Sequence, residues 1–390
     1  MKVGWLLLSL LATTPVLAEI PSTPRSRLSS SQSVKSSDVL SPEAWKRIDD
    51  GVDRGLAWLA SQQQPDGSFP TYESGLPAIT SLAVMAFLSR GHTAGAGPYG
   101  DTIDRAIDFV LRQQREDGLL FHGDTTVPVT NWGEGSHAAM YNHAIAGLML
   151  GEAYGMTDGE RATKLRPAIE KALAYARKSK RKQPDAHGTV YAWRYYHPQP
   201  IDSFGNADVS ITGWYIMFYR SARNADFEVS KQEVDDAARF VRKCFIEETG
   251  AFKYGISNQG ELRLSRGVTG AGLLCLLQTG HYDQQVTHAA GEWLLKHPIE
   301  VYNQGWGSHD RFHYGVYYCS QAMFMLGGRY WAQFYPTLAN TLLENQTPAG
   351  HWQLETKGGL ADGRFGICFT TSLAILSLTP PYQLLPIYQR

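Results

Sequence analysis

The sequence predicts an all-α fold, an (α/α)6 toroid of six helical hairpins in a single domain, and two observations carry that expectation. A small residue followed three places later by a bulky apolar one recurs at 55, 106, 172, 237, 290 and 339. The clearest copies are Gly55-x-x-Trp58-Leu59, Ala106-x-x-Phe109-Val110, Ala237-x-x-Phe240-Val241 and Ala290-x-x-Trp293-Leu294, with weaker ones at Ala172-x-x-Tyr175-Ala176 and Ala339-x-x-Leu342-Leu343. Each belongs to a charged stretch with the 3.6-residue apolar period of an amphipathic helix. After a Gly-containing turn comes a second segment of different character, clearest at Thr80–Leu88, Thr212–Tyr219, Thr269–Leu277 and Thr371–Leu378. These are apolar on nearly every face, the mark of a buried helix. Amphipathic helices outside and apolar helices inside make two concentric rings. An open solenoid also stacks helix pairs, but its ends need polar caps. Here the last apolar segment is as apolar as the middle ones, so a closed ring is expected.

Taken in order, Lys2 precedes the apolar run Trp5-Leu6-Leu7-Leu8-Ser9-Leu10-Leu11-Ala12, and Val16-Leu17-Ala18 supplies small residues at cleavage spacing. Residues 1–18 therefore read as a signal peptide, and an exported (periplasmic or secreted) protein beginning at Glu19 is expected. The run is short of the ~20 apolar residues that span a membrane, no later segment is long enough, and no Cys follows the cut to carry a lipid. Residues 19–41 read as a flexible Ser-rich leader, and 42–390 as the toroid domain. Length alone, 390 residues, would suggest two or three domains; the repeats make it one. The 36 Lys plus Arg against 37 Asp plus Glu give a net charge of -1, which speaks against a nucleic-acid partner. The densest basic run, Arg177 to Lys182, reads as the solvated end of a helix. Four cysteines, Cys244, Cys275, Cys319 and Cys368, form no CxxC pair and read as buried small hydrophobes. The 38 Gly exceed the typical ~7% because hairpin turns use them.

Loop lengths point to function. Inner-to-outer connections are short, as at Thr279–Asp283 and Gly327-Gly328, whereas outer-to-inner ones are long, near 115–136, 183–207, 247–267, 298–312 and 347–367. All the long loops thus share one rim with the N-termini of the inner helices, whose partial positive charge points at the mouth. A cavity ringed by such loops is the default site.

The turn after the first outer helix reads Arg54-Gly55-x-x-Trp58-Leu59-x-x-x-Gln63-x-x-x-Gly67-x-Phe69. A second reads Arg105-Ala106-x-x-Phe109-Val110-x-x-x-Gln114-x-x-x-Gly118-x-Leu120, and the sixth keeps Gln346-x-x-x-Gly350-x-Trp352. These turns resemble the QW repeat of squalene-hopene cyclases and their relatives in the terpene cyclase and protein prenyltransferase superfamily, over residues 44–380. Gln is expected to bond free backbone groups at helix ends, Gly to permit the turn, and the aromatic to pack over it. Met140-Tyr141-x-His143, Glu152-Ala153-Tyr154-Gly155-Met156-Thr157 and Tyr317-Tyr318-x-Ser320-Gln321-x-Met323 look like exported bacterial prenyltransferase and squalene-oxidase repeat proteins. The resemblance implies an isoprenoid ligand in a central apolar cavity. In the cyclases the acid is the central Asp of an Asp-x-Asp-Asp-Thr motif opening an inner helix. Asn206-Ala207-Asp208-Val209-Ser210 stands there, so the resemblance implies Asp208 as general acid. Read from the residues alone, an isolated Asp at a helix start also serves as its N-cap, and both readings stay open. The Asp-Asp-x-x-Asp and Asp-x-Cys metal motifs of related enzymes are absent. His309 and His313 could bind a metal if helical, yet Gly305 and Gly307 before them suggest a loop. No metal or cofactor is expected.

Other rim candidates carry paired readings. Glu134, His137 and His143 form an acid-base group, or else a solvated loop acid and a buried histidine bonded to a helix carbonyl. The aromatics Trp132, Tyr191, Trp193, Tyr195, Phe204, Trp214, Tyr215, Trp306 and Tyr317, with His313, hold a ligand through their ring faces or pack over the core. Arg266 and Arg364 grip a carboxylate or phosphate, or form salt bridges. Two functions follow: an isoprenoid-binding or cyclising toroid, and a carbohydrate-binding or polysaccharide-acting (α/α)6 protein or binding scaffold at the cell surface. A monomer is expected. N-terminal sequencing of the protein secreted from a bacterial host is expected to begin at Glu19; a cytoplasmic chain that retains Met1 would overturn the export reading.

Overall fold

The computed structural model describes residues 36–123, 125, 134–186, 188–197, 207–256, 264–280, 283–305, 310–355 and 362–388, all within the compact unit Val34–Arg390. The expected signal peptide lies outside the described residues, as does the expected leader up to residue 35. The end of that leader, Ser36–Val39, is a 3-10 turn packed on the last outer helix.

Six outer helices, α1 (Pro42–Gln62), α3 (Gly100–Arg112), α5 (Gly159–Ser179), α7 (Lys231–Lys243), α9 (Gln284–Lys296) and α11 (Gly328–Glu344), alternate with six inner ones. The inner helices are α2 (Leu76–Ser89), α4 (Glu134–Gly155), α6 (Val209–Asn224), α8 (Arg266–Thr279), α10 (Phe312–Leu326) and α12 (Ile367–Leu378). The outer helices start on local signals. Ser41 accepts the Ala44 amide with Pro42 in the first turn of α1, and Ser230 with Glu233 makes a capping box on α7. They bury one stripe only, such as Val234, Ala237, Phe240 and Val241 of α7. The inner helices are buried throughout, as residues 77–89 of α2 show. Each packs on the next, α2 on α4, α4 on α6, α6 on α8, α8 on α10 and α10 on α12, and α12 returns onto α2. The protein is therefore a closed (α/α)6 toroid.

The Gln-x-x-x-Gly turns staple neighbouring outer helices. Gln63 Nε2 donates to Gly67 O of its own turn at 3.1 Å and to Thr102 O of α3 at 2.8 Å. Gln114 does the same with Gly118 O at 3.3 Å and Ala168 O of α5 at 2.8 Å. Gln346 closes the ring, bonding Gly350 O at 2.7 Å and Gly51 O of α1 at 2.8 Å, while Arg54 donates to its Oε1 at 2.6 Å. Gly350 sits at φ +101°, where a Cβ would stand 2.5 Å from Arg54 O, so only glycine allows the turn to lie against the next helix.

Two features shape the lumen. The small face of α8 lets α10 approach closely: a Cβ on Gly267 would collide with the Tyr314 ring, and one on Gly270 would stand 2.9 Å from Cys319 N. The connection from α5 to α6 carries a β-hairpin, β1 (Arg181–Asp185) antiparallel to β2 (Gly188–Ala192), with Arg181 opposite Ala192. The sequence reading missed it, because a lone two-stranded hairpin is not stable by itself. This one is held on α7, where Arg239 Nη2 donates to Thr189 O at 2.6 Å and Lys243 pairs with Asp185 at 2.8 Å. The run Arg177 to Lys182 is consequently not all solvated helix end: α5 stops at Ser179 and Arg181 is buried in β1.

All four cysteines are free and buried, and burial pushes the Cys244 and Cys368 thiols up to about 12. Among the described residues no helix is long and apolar enough to cross a membrane. Gln346→Ala removes three hydrogen bonds at the ring closure and is expected to lower unfolding free energy by about 2–3 kcal/mol, with Gly350→Ala costing at least as much. Denaturant titration measures both, and a change below ~0.5 kcal/mol for Gln346→Ala would show that the staple does not hold the ring.

Candidate functional site

At the long-loop rim, the starts of α4, α6 and α10 meet the segment after β2. Asp208 is the N-cap of α6: its Oδ1 accepts the Ile211 amide at 2.8 Å and its Oδ2 accepts Arg194 Nη1 at 2.5 Å, with no solvent exposure. Arg194 Nη1 also donates to the Tyr254 hydroxyl at 2.7 Å, which lies 3.2 Å from that of Tyr195. The guanidinium is stacked 3.8 Å over the Tyr195 ring. The neighbouring Trp193 fixes this segment. Its indole stacks on Tyr215 at 4.5 Å and 2°, Nε1 donates to Ala176 O at 3.0 Å, and its amide donates to Thr212 Oγ1 at 3.1 Å. Burial raises the Asp208 carboxyl above the ordinary aspartate range, while Arg194 and the Ile211 amide pull it back. Burial works against the charge on Arg194, but Asp208 outweighs it, so the guanidinium holds its proton more tightly than usual. The two side chains form a salt bridge, and Asp208 stands both as helix cap and as the partner of Arg194.

Around it lies a wall of rings. The hydroxyls of Tyr141 (α4) and Tyr314 (α10) both reach Ser210 Oγ, at 2.8 and 2.6 Å, and His137 packs 4.1 Å from Tyr195. Deeper, Trp214 stacks on Tyr317 at 5.3 Å and 12° and meets Tyr318 edge-on at 5.4 Å, and Tyr317 OH reaches Met217 Sδ at 3.8 Å. Since α8 stands between α6 and α10 in the ring, these contacts cross the lumen in front of it. The Tyr141, Tyr314, Tyr195 and Tyr254 hydroxyls all bond to protein partners, and the Tyr195 ring is covered by the Arg194 guanidinium.

The remaining candidates are placed as follows. His143 accepts the Leu120 amide at Nδ1, 3.2 Å, and donates from Nε2 to Ala172 O at 3.1 Å; burial pushes its pKa down to about 3, so it is neutral. Arg266 is buried with every guanidinium nitrogen bonded: Nε to Asp310 Oδ2 at 2.6 Å, Nη1 to Pro298 O at 2.9 Å and Nη2 to Gln304 O at 2.7 Å. Arg364 is exposed and lies over the Tyr72 and Phe365 rings. Tyr191, on β2, packs under the Lys180 ammonium at 3.9 Å. His313 lies in the first turn of α10, in helix where the sequence suggested a loop. Its Nε2 is 3.2 Å from Tyr302 OH and its Nδ1 4.0 Å from Glu355 Oε2, and burial pushes it down to about 3. Glu134 opens α4, but its side chain lies outside the described residues, as do Trp132, Phe204, Trp306 and His309. Among the described residues no group of three or more His, Cys, Asp or Glu could hold a metal.

Sequence reasoning passed over Arg194, although it interrupts the aromatic run Tyr191 to Tyr196 with that run's one charge. It also passed over Tyr254 as a site residue, and over Glu152. Glu152 lies at the C-terminal end of α4, away from the mouth. It is fully buried, with Ser221 Oγ donating to Oε1 at 2.5 Å and the Ile387 amide to Oε2 at 3.1 Å. Burial pushes its carboxyl up to about 7.

No protein-family model matches the chain, and no curated protein matches it. Solved structures do. A variant of the type II terpene cyclase MstE from Scytonema, in complex with its product merosterolic acid A, is 16% identical over 89% of this chain and 100% of that one, with a TM-score of 0.56. The GH76A α-1,6-mannanase from Salegentibacter sp. is 13% identical over 86% of this chain and 99% of its own, TM-score 0.57. A protein from Actinoplanes is 15% identical over 85% and 98%, TM-score 0.54. At these identities the likeness shows the shared toroid fold.

Glu152 generates a prediction. Folding favours its neutral form, so its stabilising contribution is full below about pH 4.5 and is lost as pH rises through about 7, a loss of roughly 3 kcal/mol. Glu152→Gln is expected to be the more stable protein at pH 8 and to flatten this part of the stability profile in urea titrations at pH 5 and 8. Equal pH dependence in both proteins would show that Glu152 is not buried as described.

Proposed function

We propose that the chain is an exported, monomeric binding toroid for an apolar ligand of the isoprenoid class, held against the aromatic wall between α6 and α10 at the long-loop rim. One observation carries this reading: half-buried rings at the mouth, Tyr141, Tyr195, Tyr254 and Tyr314, lead down to Trp214 and Tyr317, with the hydroxyls of the mouth tyrosines bonded to one another, to Ser210 or to Arg194. Ring faces whose polar tips are occupied favour hydrocarbon. The same fold in MstE holds merosterolic acid A, which supports an isoprenoid in this architecture. Asp208, ion-paired with Arg194 and capping α6, acts here as an anchor. A proton donor to a polyprene must be neutral and strongly acidic, and a guanidinium at 2.5 Å favours the ionised carboxylate.

A glycan is the second reading, favoured by the toroid shared with a mannanase whose inactive variant binds α-1,6-mannotriose. Stacking of sugars on the mouth rings would suit it. Glycoside hydrolysis, however, needs two cooperating carboxylates, and at this rim Asp208 and Asp310 are both ion-paired, to Arg194 and Arg266.

Quenching of tryptophan fluorescence by squalene and shorter polyprenes is expected to saturate, with mannotriose producing no change, and Tyr195→Ala is expected to weaken polyprene binding about tenfold. Product analysis is expected to return the polyprenes unchanged. A cyclised product that disappears in Asp208→Asn would make Asp208 the acid and overturn the binding-only reading, and saturation by mannotriose alone would replace it with the glycan one.

A further inference from the structure

Two Arg–Asp pairs stand at this rim, and they differ in one respect. Arg266, on Asp310, donates from Nε, Nη1 and Nη2 to protein acceptors and is closed. Arg194, on Asp208, makes both of its hydrogen bonds from Nη1, to the carboxylate at 2.5 Å and to Tyr254 OH at 2.7 Å. Its Nε and Nη2 donate to no described residue, and the side chain is 17% exposed at the mouth. The Nε–Nη2 edge is the one that meets carboxylate or phosphate oxygens with two parallel N–H bonds. It is also held still: the guanidinium is stacked on Tyr195 at 3.8 Å, and Asp208 is itself tied to the Ile211 amide. A donor fixed before the ligand arrives loses less entropy on binding.

We infer that Arg194 is the head-group site of the toroid, taking an oxyanion, a carboxylate or a phosphate monoester, at one end of the apolar ligand while the aromatic wall takes its hydrocarbon. Asp208 is then a positioning residue that acts through Arg194. The inference rests on the proposed binding of an apolar ligand, and the test separates the two.

The full chain is titrated by calorimetry with three probes that share one chain, farnesol, farnesoic acid and farnesyl monophosphate, and with inorganic phosphate alone. At least one anionic probe is expected to bind about tenfold or more tightly than the alcohol, and whichever is preferred identifies the head. Arg194→Gln is expected to erase that preference and leave farnesol affinity within about twofold. Arg194→Lys, which keeps a cation beside Asp208 without the two-pronged edge, is expected to lose most of the preference. Should Arg194→Gln unfold because Asp208 is left uncompensated, the double variant Arg194→Gln/Asp208→Asn removes the stranded charge and is expected to show the same loss. Asp208→Asn alone is expected to reduce the head-group preference with farnesol binding intact, a split that mere destabilisation would not produce. Equal affinity for alcohol and both anions, or a preference that survives in the Arg194 variants, overturns the head-group site and leaves the apolar reading standing. Phosphate alone binding as tightly as farnesyl monophosphate, or no binding by any farnesyl probe, overturns the apolar reading and this inference with it.

Discussion

The ring depends on the seam where its last hairpin meets its first: α12 packs on α1 and α2, and the turn after α11 bonds the Gly51 carbonyl through Gln346. Without that seam α12, buried along most of its length, would offer an apolar flank to water, and the Gln346 turn is one of the fastenings that hold it. Its two sister turns, at Gln63 and Gln114, join consecutive outer helices by the same pair of acceptors, a Gly carbonyl of the turn and a carbonyl one helix on. Closure removes the ends that an open stack must shield, which is how an inner ring of such uniform apolarity can be covered.

Closure also sets where chemistry can sit. Every inner helix begins on the rim of the long connections, so their N-terminal amides and capping side chains gather there. The glycines of α8 let α10 pack close beside it, and the large rings of α10 reach α6. Taking two charges out of water is costly and is compensated only when geometry and extra hydrogen bonds are good. Asp310 with Arg266 meets that condition through backbone carbonyls. Asp208 with Arg194 meets it through a tyrosine hydroxyl and a stacked ring, and among the described residues Arg194 is bonded through Nη1 alone.

Much of this was legible in the sequence because it is written in local periodicity. Apolar stripes marked the outer helices, uniformly apolar runs the inner ones, and loop lengths the rim; the Gln and Gly of the turns announced a backbone contact, and the structure supplies its partners. Asp208 could be read as a cap because capping is a relation within four residues. What stayed hidden depends on distant partners. The β1–β2 hairpin exists through α7, and Glu152 is paired with an amide 235 positions away. Arg194 and Arg266 are both arginines near a helix start, and only their surroundings show that Arg266 bonds through every nitrogen while Arg194 meets described residues through Nη1 alone. His313 was misread as loop because the glycines before it, and not the helix after it, dominated the local pattern.

The circular path has a consequence for how the molecule comes to exist. Gly51 and Gln346 lie 295 positions apart, so a chain delivered end-first from the ribosome carries α1 and α2 for most of its synthesis without the last hairpin that covers them. Contacts of such long separation form late and slowly, and the waiting apolar flank is a surface for misassembly with another unfinished chain. The same delay means that the ring locks only when its sixth hairpin arrives, so rigidity comes to the molecule all at once and last.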